Sequence, residues 1–230
     1  MGLVQMLKSR ETQMKSFKLT FASALLATAV TFGALPGSGV APAFADSKSM
    51  AQSDLRVALN QLLAEHAELA AAATGAALGN HPKEFQAAVA ALDANSQDLA
   101  KAIGSVYGDA AGEAFLPLWR KHIGFFVDYT VATSKMSKKG QEKAVNDLLG
   151  YASDFGAFLN SACPGLPKDA VAGLVKMHIL SLKDVVDAQA AHNPTLAYQK
   201  IREASHHMQM IADPLAAAIA AQFPDKYPSM

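Results

Sequence analysis

The stretch Leu116–Thr130, LPLWRKHIGFFVDYT, decides how the rest of the chain is read. Phe125, Phe126 and Tyr129 follow His122 at three, four and seven positions, the spacing that stacks side chains on one face of a helix, and Trp119 stands one turn before it. A histidine so placed is expected to be buried. His66, in LLAEHAEL, lies 56 positions earlier, and His178, in LVKMHILSL, lies 56 positions later. The chain therefore reads as carrying one such histidine per repeat.

From Ser53 onward the apolar periodicity is helical, and no alternation is long enough to predict a strand. Six helical segments are expected, at about Ser53–Leu78, Lys83–Val106, Ala110–Thr133, Gln141–Ala162, Lys168–Ala191 and Thr195–Phe223. Gly79-Asn80-His81-Pro82, Tyr107-Gly108, Ser134 to Gly140, Cys163-Pro164-Gly165 and His192-Asn193-Pro194 separate them. Pro117 fits the third segment if it falls in the first turns, where a helical amide has no partner in any case. Asp213-Pro214 predicts a kink or interruption in the sixth. The expected fold is an all-α, up-down bundle of about six helices, built from three helical-hairpin repeats of about 56 residues. Alternating directions would set segments one, three and five parallel and bring His66, His122 and His178 to similar heights. Segment six offers His206 or His207, preferably His207, as a fourth member.

The first 45 residues read as an export signal. Lys8, Arg10, Lys15 and Lys18 form a basic start, Leu19 to Leu35 is uncharged and apolar, and Ala43-Phe44-Ala45 supplies a small-x-small cleavage pattern before Asp46. The apolar run contains Ser23, Thr28, Thr31 and Gly33, which suits a cleaved segment better than a permanent membrane span. The expected organisation is a signal peptide at 1–45 and a helical-bundle domain at 46–230, periplasmic or extracellular, with no stable membrane span after cleavage. The whole chain has 20 Lys+Arg against 20 Asp+Glu; without the signal's four basic residues and Glu11 it has 16 against 19. No basic patch is present to hold a phosphate backbone, which argues against a nucleic-acid partner. Cys163, the only cysteine, cannot form an internal disulfide.

Three or four imidazoles at one level of a bundle are, chemically, a transition-metal site. The expected ligands are His66, His122, His178 and His207. The thioethers of Met208 and Met210 beside His206-His207 lean toward copper, with zinc the other candidate. Two other readings stand beside this one. In the first, the histidines serve packing in a non-enzymatic envelope or interaction protein whose partner is a protein. In the second, they border a non-covalent haem, since no Cys-x-x-Cys-His is present. Glu203 and His206 have the spacing used in di-iron bundles, but no second pair accompanies them, so they read as exposed helix polarity. His81 and His192 read as turn or capping residues. The chain has no phosphate-binding glycine loop, His-Glu-x-x-His, Cys-x-x-Cys or Gly-x-Ser-x-Gly, so no enzymatic reaction is indicated.

Leu62-Leu63-Ala64-Glu65-His66, Ser105-Val106-Tyr107-Gly108, Trp119 to Tyr129 and the closing Gln222-Phe223-Pro224-Asp225-Lys226 together resemble a group of uncharacterised secreted bacterial helical-bundle proteins. Some of those proteins are labelled copper amine oxidases through a fused N-terminal-like domain. The resemblance implies an exported helical fold. It does not imply oxidase activity, because this chain has no room for that catalytic domain.

Overall fold

The computed structural model describes residues 51–228, so the expected signal peptide lies outside the described residues. Every regular element among them is helical: α1 (Gln52–Leu78), α2 (Pro82–Tyr107), α3 (Asp109–Ser134), α4 (Lys138–Ala162), α5 (Lys168–Ala190), α6 (Pro194–His207) and α7 (Gln209–Gln222). α6 and α7 form the sixth rod, broken at Met208. Local chemistry sets the ends. Pro82 and Pro194 open α2 and α6, where their fixed φ suits the first turn. Ser137 and Asn193 cap α4 and α6 by accepting from the amides of Gly140 and Leu196.

Two prolines sit differently from expectation. α3 begins at Asp109, so Pro117 lies in the helix interior rather than its first turns, and one intrahelical hydrogen bond is lost there. The sixth rod breaks at Met208, not at Asp213-Pro214, and Pro214 lies within α7. The ring of Pro214 bears on the Met210 carbonyl four residues back, inside α7, so the break at Met208 lies beyond the turn the proline itself disturbs.

Three of the connections share one geometry. Asn80, Met136 and His192 have φ of 57°, 53° and 53°. At each, the left-handed residue donates its amide to the carbonyl three back, and the next residue donates to the carbonyl five back: Asn80 to Ala77 and His81 to Ala76, Met136 to Thr133 and Ser137 to Ala132, His192 to Gln189 and Asn193 to Ala188. This pair of hydrogen bonds is the Schellman closure that satisfies the last carbonyls of a helix. His66, His122 and His178 each precede the left-handed residue of their turn by 14 positions. At 1.5 Å per residue that places all three about 21 Å from the same end of the bundle.

Each helix packs against the next, and α1 also touches α3, α5, α6 and α7, so the helices do not segregate into three isolated hairpins. α1 suits this central place. Leu55, Leu59, Leu62 and Leu63 fill the core in its first half, and buried Ala67, Ala71, Ala76 and Ala77 let several neighbours approach in its second. Arg120 grips Asp93 through two hydrogen bonds, linking α3 to α2, and Arg56 with Asn60 holds Asp213, linking α1 to α7. No helix among the described residues is long and apolar enough to cross a membrane.

Candidate metal centre

His66, His122 and His178 stand near the middles of α1, α3 and α5, the three parallel rods. Their accessibilities are 1%, 2% and 4%. One ring nitrogen from each lies within 4.8 Å of those of the other two. His66 and His122 face each other Nε2 to Nε2 at 3.3 Å, and the His66 and His178 ring centres are 5.8 Å apart. Two nitrogens held at 2.0–2.1 Å from a tetrahedral ion are separated by about 3.3 Å, so the first pair already has the spacing of one tetrahedral edge.

Aromatic rings fix this arrangement. Trp119, one turn before His122 on α3, lies 4.7 Å from the His66 ring and 4.6 Å from the His122 ring, meeting the latter edge-on. Tyr151 on α4 stacks on His122 at 4.9 Å, and Phe155, one turn on, stacks on Tyr151. These contacts leave little freedom to the imidazole planes.

Hydrogen bonding is the unusual feature. Buried polar atoms normally have partners, and an unpaired one costs about 1–3 kcal/mol. Here Nδ1 of His66, Nδ1 of His122 and both ring nitrogens of His178 have none, and neither do Nε1 of Trp119 and the hydroxyl of Tyr151. The backbone of Trp119, one turn earlier, raises the His122 pKa against the effect of burial. The contact that bears on the tautomers is the one between His66 and His122: with Nε2 facing Nε2 at 3.3 Å, one ring must carry its proton there and the other must accept it.

The cluster is also uncharged. Burial first, then the neighbouring His178, holds His122 down to about 3; burial first, then His207, holds His178 to about 3. His66 is pushed well below its ordinary value by burial, His122 and His178. Three neutral imidazoles are in the protonation state that a metal ion requires. Beside them is a cavity of about 40 Å³, bordered by His122, His178, Trp119, Tyr151, Met208 and apolar side chains such as Phe155 and Leu215. One water needs roughly 10–15 Å³ on this scale, and drug-sized ligands occupy pockets of roughly 300–1,000 Å³. The space suits an ion with a very small co-ligand rather than a tetrapyrrole.

The structure sets the remaining histidines apart. His207 is buried close to His178, but its Nε2 is engaged with the Leu174 carbonyl at 3.2 Å, and it is not one of the three whose nitrogens converge. His206 is exposed. Glu203 is exposed and bonded to Lys200 and Gln199, as helix surface. His81 is the N-cap residue of α2 and contacts Glu84; His192 occupies a left-handed turn position. Cys163 is buried at the end of α4 with a free thiol. Met210 and Met177 are exposed, while Met208 reaches the cavity. Sequence reasoning missed Tyr151, though its place three residues after Leu148 and four before Phe155 puts it on the buried face of α4.

No family model, curated protein or solved structure matches the chain.

Proposed function

We propose that this chain is an exported helical-bundle protein that holds a transition metal, copper or zinc, through His66, His122 and His178. The observation that carries the reading is the convergence of three fully buried, neutral imidazoles, with nitrogens within 4.8 Å of one another, whose other polar needs the protein leaves unmet. A purely structural histidine is normally bonded to a carbonyl or carboxylate, as His207 is. An ion would engage one nitrogen of each of the three rings in this rigid apolar setting. Imidazole suits copper and zinc alike, and the nearby Met208 thioether leans toward copper. Export rests on the basic start, apolar run and Ala43-Phe44-Ala45 of the first 45 residues.

The test is elemental analysis of tag-free protein with and without added copper or zinc, comparing wild type with His122→Ala. One metal per chain in wild type and none in the variant supports the site. No uptake by wild type, with a variant that merely melts earlier, returns the histidines to a packing role and the protein to the interaction class. The mass of protein recovered from outside the cytoplasm tests the leader: a chain beginning at Asp46 is expected.

A further inference from the structure

The cavity beside the histidines poses a separate question. It is lined almost wholly by apolar side chains, yet two of the residues around it, Trp119 and Tyr151, carry donors with nothing to donate to: the indole N–H and the phenol hydroxyl. Both side chains are deeply buried, at 6% and 3% accessibility. Each could have been phenylalanine if packing were the sole requirement, and the polar atom would then not have been stranded.

Charge points the same way. The converging set contains three imidazoles, which bring no negative charge to a metal, and no carboxylate or thiolate. A divalent ion there keeps its whole positive charge in an apolar interior, which is costly unless an anion joins it. Three protein ligands leave a fourth tetrahedral position open, and the cavity borders His122 and His178. At about 40 Å³ it has room for roughly two or three water-sized groups.

We infer that the cavity is a binding site for a small anion, of the size of hydroxide or azide, completing the coordination of a metal held by His66, His122 and His178 and accepting hydrogen bonds from Tyr151 and Trp119. This rests on the metal-binding reading above. Tyr151 and Trp119 are not metal ligands in this arrangement. They orient and stabilise the anion, and the apolar wall keeps bulk water from competing.

The test uses azide as the probe. Wild type, Tyr151→Phe and Trp119→Phe are loaded with Cu(II), their metal content is measured, and azide is titrated while the visible absorption and electron paramagnetic resonance spectra are followed. The expected result is one azide per copper in wild type, with affinity weakened about tenfold or more in Tyr151→Phe at equal copper content, the effect of losing one hydrogen bond to a charged acceptor. Trp119→Phe is expected to weaken azide as well. Tyr151→Phe keeps the ring that stacks on His122, so loss of copper from this variant would show that the hydroxyl serves the metal itself and would overturn the inference. Copper bound in wild type with no azide response, or the same azide affinity in all three proteins, overturns the anion site while leaving the metal site standing. Wild type that binds no copper overturns both.

Discussion

Mild acid should unfold the metal-free protein through its buried histidines. His122 and His178 are held to about 3 and His66 well below its ordinary value, in each case chiefly because burial penalises the charged ring. In the unfolded chain all three titrate near 6.5. Their folded pKa is depressed, so between about 6.5 and 3 the unfolded state binds protons that the folded state refuses, and stability falls as pH falls. Each histidine then costs about 1.4 kcal/mol per pH unit, or about 2 kcal/mol by pH 5. Three acting together approach about 6 kcal/mol, against a total stability of roughly 5–15 kcal/mol for ordinary domains. Asp213 does not contribute in this window. Arg56 and Asn60 depress it to about 2, so its stabilising effect is intact above its usual 3.8 and is lost only as pH falls toward 2. Urea unfolding followed by Trp119 fluorescence, with a chelator present, at pH 7 and pH 5 is the assay. Wild type should lose several kcal/mol, and His122→Phe should lose about 2 kcal/mol less between the same two pH values. Equal wild-type stability at both pH values, or an unchanged pH dependence in the variant, would refute the reasoning.

Metal offers the complementary test: at pH 7, free metal at a hundred times its dissociation constant should stabilise wild type by about 2.7 kcal/mol in urea, and His66→Gln should remove that gain. Two glycines of α4 should respond in opposite directions to alanine. A Cβ at Gly156 would stand 2.5 Å from the Lys168 carbonyl, so Gly156→Ala should cost about 1–3 kcal/mol, whereas Gly150 faces open space and Gly150→Ala should stabilise by up to about 1 kcal/mol; thermal melts decide both. Leu148, 1% accessible in the main core, should cost about 2–5 kcal/mol on truncation to alanine in the same urea assay.

Much of the architecture was legible because its signals are local. The expected segment Ser53–Leu78 corresponds to Gln52–Leu78, and Lys168–Ala191 to Lys168–Ala190, since apolar periodicity and the following Gly-Asn or His-Asn turn act within a few residues. The interruption of the last rod lies at Met208 rather than at Asp213-Pro214, six residues before the proline and outside the turn it disturbs, so local sequence did not place it. The third segment, expected from about Ala110, begins at Asp109, where Gly108 at φ 92° joins it directly to α2, so Pro117 lies eight residues into the helix and outside the first turns that would tolerate it without a lost hydrogen bond. Tyr151 went unnoticed because a tyrosine on an apolar face looks like any other core aromatic. Its missing hydrogen bond is visible only in three dimensions.

By itself the amino-acid sequence indicated that the chain from Ser53 to Phe223 is helical, where most of its rods end, and that His66, His122 and His178 lie on apolar faces 56 positions apart. Those are properties of a helix and its cap, and a fixed rise per residue converts them into height. Tertiary structure alone decided which way each imidazole turns. Rotation about a helix axis and choice of rotamer are set by neighbours from elsewhere in the chain, here Trp119 and Tyr151 against the rings of His66 and His122. The same packing turned His207 toward the Leu174 carbonyl and left a cavity where the other three converge. Equal height made the meeting of the three histidines available; the side chains packed between the rods determined which nitrogens face one another.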